Sequence, residues 1–416
     1  MMNASIRIGK LYSKNMNDGK VRLCSDIIIS TSYARTQTMW YEVEESYKNT
    51  LSIDRADAFL VAFLPYAMLK QMNVIIETPI SRDLLYRIRY LLIPAICEAN
   101  KKFHEIQIEA QVIDKVNGND KRGVGIALSG GVDSFYSVMK NLNSNDISVK
   151  RITHLTLFNV GAFGEFGGSN ARKSFYDRII SLSGLSDQLQ LPLVIVDSNI
   201  SEILRLPFGY SISFRDISAA LVLENLLDTY YISGGFKLSE MKVVENDIRK
   251  YENWIMNCIS NDGMKFIWFG GEASRTQKLE YLSQFDIAVS NLFVCISNML
   301  SNSCNTREQF LHRNCSINCT KCLRTMLELY SINQLDKYRG VFDVDLFMKN
   351  IDQYIGFTIY QKDNKVNWFE DIYQQMIKRN YQFSKKAYGY ALKYKVEHCK
   401  LNTLLKNKFY WIYPFE

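Results

Sequence analysis

Five short apolar segments, each running into glycine or small polar residues, set the strongest limit on how this chain folds. They span residues 124–128, 152–159, 191–196, 230–233 and 266–269, with helical patterns at 134–142, 171–182 and 214–227. Alternation of this kind builds a parallel sheet, because a parallel connection needs a crossover long enough to hold a helix. In a doubly wound sheet ligands collect at the carboxyl ends of the strands. The loops Ser129-Gly130-Gly131, Asn159-Val160-Gly161, Asp197-Ser198, Ser233-Gly234-Gly235 and Gly270-Gly271 are therefore expected to face one crevice.

The first of these loops carries a specific chemistry. It reads Ser129-Gly130-Gly131-Val132-Asp133-Ser134, after an apolar strand and before a helix whose apolar face is Phe135, Val138, Met139 and Leu142. Two glycines let the backbone approach a ligand closely, while the hydroxyls of Ser129 and Ser134 and the free N–H groups of a helix start converge on one point. That is a cradle for phosphate or pyrophosphate. Asp133 would repel a polyphosphate unless a cation intervenes, which argues for Mg²⁺. No Gly-Lys-Ser/Thr follows, so this is not the phosphate loop of kinases and NTPases, and it lacks the Gly-x-Gly-x-x-Gly of dinucleotide-binding folds.

The loop resembles the PP-loop of the adenine-nucleotide α-hydrolase-like ATP pyrophosphatases, which cleave ATP between its α and β phosphates. The resemblance implies that Ser129, Gly130, Gly131 and Ser134 hold the pyrophosphate. Asp133 then sits where Mg²⁺ is bound or a phosphate-loop contact is made, and Asn159 joins them as a nucleotide-binding candidate. Further along, Gly270-Gly271-Glu272-Ala273-Ser274 precedes Arg275 and Lys278, which lie three apart. On a helix start they face the same way and would aim at phosphates; otherwise they are surface charges.

Four of the nine cysteines, Cys304, Cys315, Cys319 and Cys322, have the spacing C-x10-C-x3-C-x2-C. Four thiolates so close suit tetrahedral Zn²⁺, with an iron–sulfur cluster or plain reduced thiols as alternatives, and His312 as a substitute ligand. A PP-loop followed by a four-cysteine knuckle resembles the 7-cyano-7-deazaguanine synthase family, whose zinc motif is C-x8-C-x2-C-x2-C. The present spacing and the wording Cys319-Thr320-Lys321-Cys322-Leu323-Arg324-Thr325 look like a divergent, extended branch found beside biosynthetic or phage-defence genes. The likeness covers about residues 123–329.

The resulting fold expectation is α/β: a HUP-type doubly wound parallel sheet with the PP-loop, an N-terminal α/β domain and a mostly helical C-terminal region. Its boundaries are 1–120, 121–300, 301–330 for the cysteine knuckle, and 331–416. In the N-terminal part, residues 22–29, 58–63 and 74–77 read as strands and 82–100 as an amphipathic helix that Pro94 kinks or interrupts. The glycine-rich stretch 161–170 reads as a substrate lid or a simple long loop.

Residues 372–416 hold nine Lys/Arg against two acidic residues, equal to the whole formal net charge of +7. Interleaved aromatics from Tyr381 to Tyr413 suit nucleic acid, an acidic protein or a phosphorylated substrate, or simply a basic helix packed by its rings. No apolar stretch is long enough to span a bilayer and the first residues are polar, so the expected location is the cytoplasm, with no membrane partner and with oligomerisation left open.

Taken together, the expected activity is an ATP-dependent ligase or synthase. It adenylates a carboxylate or amide, releasing AMP and pyrophosphate, for amidation, nitrile formation or conjugation of a 7-deazaguanine or a partner protein. Asp133, Lys278 and Arg275 would carry the catalysis, with ATP, Mg²⁺ and Zn²⁺ as cofactors. Two other classes fit the same residues: an RNA-modifying, thiolation-type PP-loop enzyme and a non-catalytic nucleotide-binding component of a complex.

Overall fold

The computed structural model describes residues 4–114, 122–245, 247–295, 314, 320–364 and 366–404. The chain divides into two units, one formed by residues 1–129 and 137–272, the other by residues 130–136 and 273–416.

The first unit is built on one 11-stranded mixed sheet. Its N-terminal strands are β1 (Ser5–Ile8), β2 (Tyr12–Asn15), β3 (Lys20–Ser30), β4 (Ala34–Glu44), β5 (Asn73–Ser81) and β6 (Ile108–Ile113). They are followed by β7 (Gly123–Ala127), β8 (His154–Asn159), β9 (Leu193–Ser198), β10 (Leu227–Ser233) and β11 (Lys265–Phe269). The order across the sheet is β11-β10-β7-β8-β9-β4-β3-β1-β5-β6, with β2 added to β3.

Strands β7 to β11 pair in parallel, and their side chains Ile126, Leu155, Val194, Val196, Tyr230 and Phe266 are buried, as strands covered on both faces require. The chain leaves β7 toward β8 and β9 on one side and then returns to place β10 and β11 on the other. The strand order thus reverses at β7, and such a switch point opens a crevice at the carboxyl ends of the strands on either side of it.

The sheet does not stop at β9. Tyr41 and Glu42 of β4 pair antiparallel with Ser198 and Asp197 of β9, so the N-terminal strands continue the same sheet. An uncovered β9 edge would present unpaired N–H and C=O groups, and β4 covers it over this short stretch.

Helices of this unit are α1 (Asp57–Lys70), α2 (Arg82–Arg87) and α3 (Ile93–Ala99), then α4 (Val132–Leu142), which crosses the division between units. They continue with α5 (Ser169–Leu189), α6 (Ile200–Leu204), α7 (Ile212–Leu221) and α8 (Glu252–Ile259). The run 58–63, read above as a strand, lies within α1 instead. Residues Phe59 to Leu64 are all fully buried, so every face of the helix is apolar and the periodicity that distinguishes helix from strand is absent. The reading of 82–100 as helix holds, interrupted by a π turn at Ile88–Leu92 between α2 and α3, with Pro94 directly after that turn in α3.

The second unit contains α9 (Arg275–Leu282), α10 (Asp286–Asn291), α11 (Thr320–Ser331), α12 (Val344–Lys349), α13 (Ile351–Asp363), α14 (Asn367–Lys378) and α15 (Lys385–Leu404). Leu279, Leu282, Met326, Leu329, Tyr338, Phe342, Ile355 and Ile372 are among its buried side chains. Among the described residues no helix is long and apolar enough to cross a membrane.

Candidate active site

The loop after β7 is shaped locally. Leu128 N–H donates to the Thr156 carbonyl at 2.9 Å, holding the strand end beside β8. Gly130 has φ +78°, a left-handed conformation that a Cβ would strain. The Gly131 carbonyl then accepts from Phe135 N–H at 2.9 Å and from the Ser134 hydroxyl at 3.1 Å, closing the first turn of α4, while the Gly130 carbonyl accepts from Phe293 N–H at 2.8 Å. Ser129, on the sheet unit, is exposed, and its carbonyl accepts from the buried Arg178 guanidinium.

Within the helical unit the structure brings together the three residues singled out for catalysis. Asp133 Oδ1 accepts from Lys278 Nζ at 2.8 Å and Oδ2 from Arg275 at 3.3 Å, across separations of 145 and 142 residues. Both cations sit on α9, whose start is set by a capping box: the Ser274 hydroxyl accepts from Gln277 N–H, and the Gln277 side chain accepts from Ser274 N–H. Arg275 and Lys278, one turn apart, therefore project the same way.

Behind them lies Glu328 of α11, 1% exposed, which accepts from Arg275 Nε at 2.9 Å and from Arg324 Nε at 2.7 Å. The Thr325 hydroxyl takes another Arg275 nitrogen at 3.1 Å. Arg324 also lies over the Trp368 ring, 4.1 Å from its centroid. Three cations face two carboxylates, which leaves the cluster a net positive site. Burial disfavours the charged form of Asp133, but Lys278, Arg275 and Arg324 outweigh it and hold the carboxyl below its ordinary value. Lys278 is 1% exposed, Arg275 16%, Arg324 28% and Asp133 29%, so solvent reaches the Asp133 carboxylate and parts of both guanidinium groups but not Lys278.

Glu328 and Thr325 carry no motif of their own. The one sequence signal was the Arg324/Glu328 spacing of four on a helix, which favours a pair but names no site.

On the sheet unit, Asn159 closes β8 and donates through Nδ2 to Asp197 Oδ1 at 2.7 Å. At the ends of β10 and β11, Ser233 Oγ and Trp268 Nε1 are buried without a hydrogen-bond partner among the described residues. A Cβ on either Gly234 or Gly271 would strike the Trp268 indole, so both glycines are needed for the strand ends to close around that ring. The stretch 161–170 is tied down: Arg215, fully buried, donates to the Val160, Glu165 and Leu206 carbonyls, and Phe208 N–H donates to the Glu165 carboxylate.

Of the four knuckle cysteines, Cys304, Cys315 and Cys319, with His312, lie outside the described residues, and Cys322 is fully buried on α11. Among the described residues no group of three or more His, Cys, Asp or Glu is placed to hold a metal ion. In the basic C-terminal stretch Tyr381 and Phe383 pack on Tyr330 and Tyr373, and Tyr394 on Phe357, while Tyr388, Lys385, Lys386, Lys393 and Lys395 are exposed.

The sheet and the cluster define an α/β protein with a glycine-turn loop after β7 and an ion-paired Asp–Lys–Arg centre on its helical unit. Comparisons with protein-family models, with curated proteins and with solved structures found no match.

Proposed function

We propose that the chain is an ATP-dependent adenylating enzyme of the PP-loop pyrophosphatase type. The observation that carries the reading is the convergence of Arg275 and Lys278 on Asp133 of the loop, across more than 140 residues, in a site of net positive charge. Support comes from the reversal of strand order at β7, the strand from which that loop emerges.

In this mechanism residues 129–134 cradle the β and γ phosphates, and an acceptor carboxylate oxygen attacks the α-phosphorus in line. A bond forms from that oxygen to phosphorus, the α–β bridging bond breaks, and pyrophosphate leaves with its electron pair. Arg275, more exposed than Lys278, stabilises the charge that develops on pyrophosphate. Lys278, buried behind Asp133, keeps that carboxylate ionised and oriented. Asp133 is ionised and part-exposed, so it fits a magnesium ion carried in by the triphosphate, which would neutralise phosphate charge. The acyl adenylate is then taken by ammonia or an amine. The four-cysteine spacing supports a structural zinc in the same protein, held by Cys304, Cys315, Cys319 and Cys322.

Purified protein incubated with ATP, Mg²⁺, ammonia and candidate 7-deazaguanine carboxylates should yield pyrophosphate and, as the nitrogen displaces it from the acyl adenylate, AMP, and Asp133→Ala should abolish both. ADP as the principal product would overturn the reading, because it would place cleavage at the γ-phosphate.

A further inference from the structure

A second site lies on the sheet unit, apart from the loop. A cleft of about 480 Å³ runs between the β2–β3 hairpin, the ends of β4 and β9, and the first turns of α5. That volume suits a small organic molecule. Its floor is two buried carboxylates, Glu42 and Asp197, which are direct cross-strand partners in the β4–β9 register. Like charges placed so are destabilising by themselves, so the arrangement exists only because cations hold it. Glu42 accepts from Lys20 Nζ at 3.1 Å and Arg22 Nε at 2.7 Å, and Asp197 lies 3.4 Å from Arg172 Nε. Both guanidinium groups also rest on the Trp40 ring, 3.9 Å and 5.4 Å from its centroid.

Lys20 is fully engaged, since its Nζ also meets Asp18 at 3.3 Å and the Tyr176 hydroxyl at 3.3 Å, but the two guanidinium groups are not used up. The terminal nitrogens of Arg22 have no hydrogen-bond partner among the described residues, and Arg172 spends only Nη1, on Glu202, beyond its Nε contact. Lys20, Arg22 and Arg172 are each 27–29% exposed, forming the wall rather than the floor. Four basic side chains line the cleft against three acidic ones, each of which already pairs with a lining cation, leaving one positive charge in excess. Pre-oriented guanidinium forks beside open space match the planar oxygens of a carboxylate or phosphate. Tyr176, 42% exposed, stands on the same wall and offers a ring face for an organic body.

We propose that this cleft binds a small organic anion, gripped at its carboxylate or phosphate end by Arg22 and Arg172, with Lys20 adding positive charge beside them, and packed along Tyr176. The carboxyl end of β9 lies two strands from that of β7, roughly 10 Å away. An acceptor anchored by one anionic end in the cleft spans that distance to the end of β7. Its role as acceptor rests on the adenylation reading; the site itself does not.

The test uses the full chain without nucleotide, with benzoate and phenyl phosphate as probes and benzylamine as the cationic control, followed by titration calorimetry. The expected result is binding of the anions and not of benzylamine, weakened about tenfold in Arg22→Gln by loss of one charged fork. Glu42→Gln should instead tighten binding several-fold, since it removes the carboxylate that competes for Lys20 and Arg22. A damaged fold cannot produce that gain. Preference for phenyl phosphate assigns a phosphate ligand, and preference for benzoate a carboxylate. Equal affinity in wild type and both variants, or preference for benzylamine, would overturn the proposal. Because ATP is absent from the binding measurement, its outcome is independent of whether AMP is formed.

Discussion

Glu224→Gln should cost the sheet unit about 3 kcal/mol, and the cost should depend on pH in a definite direction. Glu224 and Arg55 have side chains 3% and 4% exposed and meet through two bonds, Arg55 Nε to Oε1 at 3.1 Å and Nη2 to Oε2 at 2.5 Å. Ser52 donates to Oε1 at 2.6 Å, and Arg55 Nη1 reaches Asp262 at 2.6 Å. Breaking a buried ion pair by removing one charge typically costs ~3–5 kcal/mol. Asp262 survives as a partner and Gln keeps one acceptor oxygen, which puts the expectation at the lower end, ~3 kcal/mol.

Asp57 sets the pH dependence. Burial, then the nearby Glu224 charge, push its carboxyl from 3.8 up to about 7, with Arg55 acting the other way. Its folded value exceeds its unfolded one, so the native state binds a proton that the unfolded chain has released. The stability this lends is full below 3.8 and is lost as pH rises through about 7. Removing the Glu224 charge brings Asp57 down and flattens that loss, so the gap between wild type and variant should be larger at pH 5 than at pH 8. Urea unfolding at both pH values, followed by tryptophan fluorescence, reads it; Trp40, Trp254 and Trp268 all report on this unit. A variant within about 1 kcal/mol of wild type at both pH values, or a gap that widens toward pH 8, would refute the reasoning.

Asp133 gives the opposite sign: its folded value is depressed, so the stability it contributes is present above 3.8 and lost as pH falls through the folded value. Asp133→Asn should therefore be less stable than wild type at pH 7, and thermal melts should converge at strongly acid pH. Gly130→Ala should cost ~1–2 kcal/mol from its left-handed φ of +78°, measurable by the same melts. Elemental analysis should find one zinc per chain, lost in Cys319→Ser; unchanged metal content would remove these thiols as ligands. Replacing the exposed Lys385, Lys386, Lys393 and Lys395 with Ser should shift stability by less than about 0.5 kcal/mol each and leave AMP formation intact.

What the sequence determined by itself is local. An apolar run ending in Ser-Gly-Gly specifies a strand and a left-handed turn, and the spacing of Phe135, Val138 and Met139 specifies the buried face of α4, because backbone sterics and side-chain periodicity act within a few residues. The same rules place β8, β9, β10 and β11 and mark Arg275 and Lys278 as one face of a helix start. Other features belong to the tertiary structure alone. The run in α1 is apolar on every face, so no period distinguishes its two conformations until its surroundings are known. Nothing in Tyr41-Glu42 announces that β4 covers the edge of β9, since any extended segment offers the same N–H and C=O groups. That Asp133 meets Lys278 and Arg275, with Glu328 behind them, is likewise decided by packing. Coulomb attraction pairs whatever opposite charges the fold brings within a few ångströms, and which ones those are is settled by how the apolar faces of α4, α9 and α11 are buried, not by the charges themselves.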